Sequence, residues 1–327
     1  MRPFRFSRIE SVSAALDAAG VGGSAKYIAG GTNILDLMKD DVEGPALLID
    51  INALPLRTIE LRSDRLYIGA LARMSDVASH AAVRSSFPMI ASSLDQSASP
   101  QLRNMASIGG NILQRTRCPY FRDVATPCNK RTPASGCGAI GGINRMQAIL
   151  GTSDQCIATH ASDLAVTLVA LDAIVHVTGS KGDRDVSIHD FYQLPQANPN
   201  IETTLHQDEL ITAVSVPLLP FAHNSTYLKV RDRMEYEFAL ASAAVAIEIS
   251  NNSIGDVRIA LGGVGTIPWR SRQAERTLIG APATRDSFER AAEAALLGAR
   301  GHGENNFKVQ LAKRTLVRAI EITLETA

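Results

Sequence analysis

Four side chains in this sequence are equipped to bind metal or to join covalently, Cys118, Cys128, Cys137 and Cys156, and they are its only cysteines. All four fall within residues 115–158, a stretch rich in Pro, Gly and basic residues with no sustained apolar period. Cysteines scattered by chance would not gather in one irregular segment, so they act as a set. Three chemistries suit them. Two disulfides form in an oxidising compartment. A zinc site with four cysteine ligands is possible, although zinc knuckles draw two ligands from a C-x2–4-C turn and even Cys128 and Cys137 stand further apart than that. A [4Fe–4S] cluster also takes four thiolates, from a loop wrapped around it. Pro119 after Cys118, and Gly136 and Gly138 around Cys137, favour close backbone approach. Arg115, Arg117, Arg122, Lys130 and Arg131 would offset a cluster's negative charge, but a solvated basic loop contains the same residues.

Two glycine pairs carry a second chemistry. In Ala29-Gly30-Gly31-Thr32-Asn33-Ile34 an apolar strand runs into a glycine turn and then a helix. Such a turn converges backbone N–H groups on an anion, with Thr32 and Asn33 able to cap the helix or bond a phosphate oxygen. Ser107-Ile108-Gly109-Gly110-Asn111 repeats the pattern. One such turn is commonly just a connection, whereas two suit the successive oxygens of a diphosphate. Gly20-Val21-Gly22-Gly23-Ser24-Ala25 matches G-x-G-x-x-A literally but follows a helix and precedes a strand, the reverse of the dinucleotide-fold context. None of the histidines forms a ligand pair; His160, beside Ser162-Asp163, is the one with chemical interest.

These groups must be held by elements. The pattern predicts a helix over 11–19 with Ser11 as N-cap, strands at 26–29, 47–51 and 65–70, and a helix starting over 34–39. After the cysteine segment, 163–177 reads as a helix followed by a strand. Pro217 to Pro220 marks a boundary. Beyond it, 243–249 and 257–261 read as paired strands around Asn251-Asn252-Ser253, and 304–323 as a long amphipathic helix.

At 327 residues the chain implies two or three domains. A formal net charge of zero argues against a nucleic-acid partner and an electrostatic membrane anchor. The start, Met1-Arg2-Pro3-Phe4-Arg5-Phe6, leads into polar sequence without the apolar core of a secretory signal. The longest apolar run, 164–177, is broken by Asp172 and too short to span a bilayer. A soluble protein is expected, periplasmic if co-exported with a folded partner and otherwise cytoplasmic.

Taken in order, Ala29 to Asn33, Gln101-Leu102-Arg103-Asn104-Met105-Ala106-Ser107-Ile108-Gly109-Gly110-Asn111, Ser162-Asp163-Leu164 and Leu261-Gly262-Gly263-Val264-Gly265 resemble the FAD-binding subunits of the xanthine dehydrogenase and aldehyde oxidoreductase family over essentially the whole chain. Most members pass almost directly from the second glycine turn to Ser-Asp-Leu; here the cysteine segment intervenes. Arg115-Thr116-Arg117-Cys118-Pro119-Tyr120-Phe121 and Pro127-Cys128-Asn129-Lys130-Arg131 resemble the loop of periplasmic aldehyde oxidoreductases, which holds a [4Fe–4S] cluster, and place the cluster ahead of zinc or disulfides. The 4-hydroxybenzoyl-CoA reductases carry a comparable insertion.

The resemblance implies an α+β fold. A two-lobed FAD domain of the p-cresol methylhydroxylase type spans 1–220, with lobes of about 1–55 and 56–220 and the cysteine loop at 115–158. A smaller α+β domain of the CO dehydrogenase flavoprotein type spans 221–327. It implies that Ala29, Gly30, Gly31, Thr32, Asn33 and Ile34 wrap the FAD pyrophosphate, with Ser107, Gly109, Gly110 and Asn111 from the other lobe. Asp163 would hold the ribose or ribityl hydroxyls, Ser162 beside it would belong to the cofactor site, and Lys229, Arg231 and Tyr236 would lie near the flavin. Cys118, Cys128, Cys137 and Cys156 would ligate the cluster. The implied partners are a large subunit with the molybdenum cofactor, a small subunit with two [2Fe–2S] clusters, and an external electron acceptor. No catalytic residue is implied here, since substrate chemistry belongs to the large subunit. His160-Ala161 departs from the Ser-Pro of many relatives, and nothing marks a nicotinamide site. A 4-hydroxybenzoyl-CoA reductase-like or xanthine dehydrogenase-like enzyme, a self-contained FAD oxidase and a zinc-stapled assembly subunit are the competing readings.

Overall fold

Three sheets organise the chain. The computed structural model describes residues 1–20, 24–251 and 253–325. Val21, Gly22 and Gly23 of the G-x-G-x-x-A match and the central Asn252 of the expected turn lie outside the described residues. The first sheet has three parallel strands in the order Arg5–Arg8, Leu47–Asp50, Ala25–Ile28. Its helix Val12–Gly20 starts where Ser11 Oγ accepts the Ala14 N–H, so the expected cap is present. Helix Ile34–Lys39 starts where the sequence pattern places it.

The second sheet is antiparallel with five strands, in the order Ile59–Leu61, Arg65–Gly69, Glu209–Pro217, Ile174–Gly179, Gly182–Ser187. Against it pack short helices, Met74–Ser79, Ala81–Ser86 and Pro88–Asp95, together with Asp163–Ala170. Every residue of Asp163–Ala170 is buried, which explains its continuous apolar reading.

The third sheet, also antiparallel, runs Trp269–Arg270, Ser253–Gly262, Ala241–Ser250, Ser225–Val230. Strand Ala241–Ser250 is covered on both faces through Ile247. Ala244 and Ala246 join the core of the five-stranded sheet, while Ala243, Val245 and Ile247 face helices Arg272–Leu278, Arg285–Ala295 and Phe307–Glu325. Gly262 lets helix Asp163–Ala170 approach strand Ser253–Gly262 closely: a Cβ there would stand 2.5 Å from Val166. Among the described residues, no helix is long and apolar enough to cross a membrane.

Candidate functional site

A cleft of about 1030 Å³ opens between the parallel sheet and the two larger sheets. The first glycine turn forms one wall. It leaves strand Ala25–Ile28, passes Gly30 and Gly31, and enters helix Ile34–Lys39. Gly31 has φ of 73°, the left-handed region that glycine reaches without steric cost. Gly30 is required for another reason: a Cβ there would lie 1.9 Å from the Met105 carbonyl oxygen. The turn is therefore pressed backbone to backbone against the end of helix Pro100–Met105, which leads into the second glycine turn.

That second turn is pinned from behind. Gly109 N–H donates to the Ala70 carbonyl at 2.8 Å. Ser107 caps helix Ile108–Ile112 by accepting the Gly110 N–H at 3.2 Å. Both turns face the same cleft, with Ala29, Gly30, Gly31, Thr32, Asn33, Ile34, Ser107, Gly109, Gly110 and Asn111 all on its lining. Asn33 accepts the Arg115 N–H at 3.1 Å through Oδ1, while its buried Nδ2 has no partner. An orphaned amide donor beside two converging glycine turns is what an elongated anionic ligand would satisfy.

The floor of the cleft carries a buried ion pair. Asp163 Oδ2 accepts from Lys229 Nζ at 2.8 Å and Ser97 Oγ at 2.9 Å, and Oδ1 accepts from Tyr227 OH at 2.5 Å. The Lys229 and Asp163 side chains are 1% and 7% exposed. Burial, then the Asp163 charge, hold the Tyr227 phenol protonated, well above its usual range. His160 also lines the cleft. Its Nδ1 accepts the Ser162 N–H at 3.3 Å and its ring meets Tyr192 edge-on at 4.7 Å. Burial pushes it down to about 4, so it sits neutral with the proton on Nε2.

Behind helix Ile34–Lys39 lies a second, small cavity lined by Cys118, Cys128, Cys137 and Cys156. The four thiols are free, three of them buried. Leu37 from that helix belongs to the same apolar cluster. Cys118 Sγ accepts from Gln147 Nε2 and Cys156 Sγ from the Ala158 N–H, each at 3.4 Å. Burial pushes the Cys118 thiol up and Cys156 up to about 11. Buried thiols that receive N–H donors suit a metal-bound thiolate, because a cationic group overrides that burial penalty. Among the described residues, no three His, Cys, Asp or Glu side chains are grouped closely enough to hold a metal ion.

Residues 2–219 match the FAD binding domain in molybdopterin dehydrogenase, and residues 225–323 the CO dehydrogenase flavoprotein C-terminal domain. This chain belongs to the FAD-binding medium subunits of the molybdenum hydroxylases. It is 46% identical to the aldehyde oxidoreductase FAD-binding subunit PaoB of Escherichia coli (strain K12), over 98% of both chains. It is 29% identical to the glyceraldehyde dehydrogenase medium chain of Sulfolobus acidocaldarius, over 85% of this chain and 81% of that one. The structure of carbon monoxide dehydrogenase from Hydrogenophaga pseudoflava superposes with a TM-score of 0.77 at 25% identity, covering 99% of each chain. The α+β, two-part flavoprotein fold expected from the sequence is the one observed, and the chain is an oxidoreductase subunit with an FAD-binding domain.

Within that family frame, two sequence-selected residues do not line the cleft. Ser162 is buried behind Asn111, donating to its Oδ1 at 2.6 Å. Arg231 donates to the Gln96 carbonyl at 2.9 Å. Asp163, Lys229 and Tyr236 do reach the cleft. Tyr236 takes a left-handed φ of 53° and is 57% exposed at the mouth. Sequence reasoning misses the wall formed by residues 200–207. It has no motif, and its place follows from strand Glu209–Pro217 pairing with Arg65–Gly69 far away in sequence.

Proposed function

We propose that this chain is the FAD- and [4Fe–4S]-bearing electron-transfer subunit of a molybdenum hydroxylase that oxidises aldehydes to carboxylic acids. Similarity along nearly the full length to an aldehyde oxidoreductase FAD-binding subunit carries the reading. FAD, when bound, supplies storage for two electrons and their release to an external acceptor. The chain's own residues bind and orient it. Gly30 to Ile34 and Ser107 to Asn111 hold the pyrophosphate, with the free Asn33 Nδ2 as a donor. Asp163 holds hydroxyls of the sugar chain with its remaining acceptor capacity, and Lys229 pairs with that carboxylate at 2.8 Å. Tyr236 lies near the ring system; Ser162 supports the second glycine turn through Asn111, and Arg231 holds the Gln96 carbonyl. Electrons enter from [2Fe–2S] clusters of a small partner, and a large partner carries the molybdenum cofactor. Residues 1–220 and 221–327 form the two domains.

The four cysteines are the cluster's ligands in this reading. Their support is one shared, mostly buried cavity with N–H donors on two sulfurs. Anaerobic purification of the chain with its partners, followed by a visible spectrum and iron, sulfide, zinc and FAD analysis, tests both sites. One FAD with about four irons and four sulfides per chain is expected. Flavin without iron would remove the cluster and leave the flavoprotein; zinc at the cysteines would turn them into a structural staple.

A further inference from the structure

The basic residues around the cysteines do not act as one cationic cloud. Arg115 pairs with Glu43 at 2.7 Å and with Glu202. Arg117 and Arg122 share Asp36 at 2.7 and 2.6 Å. Arg131 donates to the Tyr120 and Phe121 carbonyls at 2.8 Å. Lys130 is the one charged side chain that lines the cysteine cavity among the described residues. Its side chain is 9% exposed, and Nζ donates to Glu202 Oε1 at 2.8 Å and the Pro199 carbonyl at 2.9 Å. Glu202 in turn lines the flavin cleft. Cation, anion and cation thus run from the cysteine cavity to the flavin wall as Lys130, Glu202 and Arg115. Burial opposes ionisation of Glu202, yet Arg115 and then Lys130 hold it below the ordinary carboxylate range.

A partly buried charge chain is a poor stabiliser compared with apolar packing of the same volume. Its effect on a neighbouring redox group is large, because a charge in a low-dielectric interior acts over several ångströms. Net charge around an iron–sulfur cluster shifts its potential. We propose that Lys130 and Glu202 tune the cysteine-held cluster in opposite directions, the ammonium raising its reduction potential and the carboxylate lowering it. Reduction adds one negative charge at the cysteines; Lys130 favours that state and Glu202 disfavours it. Because Glu202 also faces the flavin cleft, the same carboxylate is shared by the two sites. The proposal rests on the cluster reading above.

The test is an EPR-monitored redox titration of the assembled enzyme carrying Lys130→Met, Glu202→Gln or both, with iron and sulfide measured on each sample. The expected result is a downward shift for K130M, an upward shift for E202Q, and a double variant returned close to the parent. Lys130→Arg, which keeps the charge, should leave the potential near the parental value. A bracing role alone would not produce opposite signs that cancel. Shifts of the same sign, or none, at full iron content would overturn the proposal and leave the cluster reading standing. Loss of iron from all three charge-removing variants would also overturn it, making the pair structural. Absence of iron from the well-folded parent protein would remove the cluster reading and the proposal with it.

Discussion

Replacing Lys308 by Met should destabilise the protein by about 3 kcal/mol, and the structure says why. Lys308 is fully buried at the start of helix Phe307–Glu325. Its Nζ donates to the carbonyls of Met146 and Gln147 at 3.1 Å and of Gly263 at 2.6 Å. Three acceptors match the three N–H bonds of an ammonium, although burial and the nearby Arg145 push the group down to about 7. Methionine has a similar length but donates nothing. The Met146 carbonyl keeps Thr159 Oγ1 as a donor, and the Gln147 carbonyl keeps Asn305 Nδ2. The Gly263 carbonyl bears most of the loss. Hydrogen bonds to a charged donor contribute about 1.5–3 kcal/mol each, and an orphaned buried acceptor costs about 1–3 kcal/mol; relief of the ammonium's desolvation offsets part of that sum. Urea unfolding of the purified chain measures the change. Iron content should also fall, because Gln147 is the residue that donates to Cys118. A loss below about 1 kcal/mol, at the lower edge of a single orphaned acceptor, would refute the reasoning that these carbonyls depend on Lys308.

Gly30→Ala should lower FAD content and cost about 3 kcal/mol, since its Cβ would meet the Met105 carbonyl at 1.9 Å. Gly20→Ala, with nothing within 4 Å, serves as the control; equal FAD loading and melting temperature in the two variants would contradict the close approach. For His160 the folded state titrates at about 4, whereas the unfolded chain titrates near 6.5. Between those values the unfolded state binds the extra proton, so stability falls as pH drops through this window, by up to about 3 kcal/mol. His160→Gln should flatten that limb of the urea midpoint against pH, and an unchanged limb would show that His160 does not contribute to it.

Much of the fold's local grammar is legible without coordinates. Helix Ile34–Lys39 and the Ser11 cap follow from side-chain pattern and hydrogen-bonding chemistry within a few residues. The amphipathic C-terminal helix begins at Phe307, three residues later than its pattern suggests. The short helices over 74–95 are not legible, because their apolar residues are spaced too briefly to show a period. The site divides in the same way. Both glycine turns and the cysteine group announce themselves through composition in a short window. The wall at 200–207, the buried Asp163–Lys229 pair and the Lys130–Glu202 pair do not.

By itself the sequence determined which residues can turn tightly, cap a helix or bind metal, because those capacities belong to the residue and its immediate neighbours. Only the tertiary structure decided that Arg231 and Ser162 stand behind the cleft, that Lys130 rather than its arginine neighbours lines the cysteine cavity, and that Lys308 is a buried knot. Each of these depends on partners dozens of residues away, and a charge's role is set by what it faces after packing.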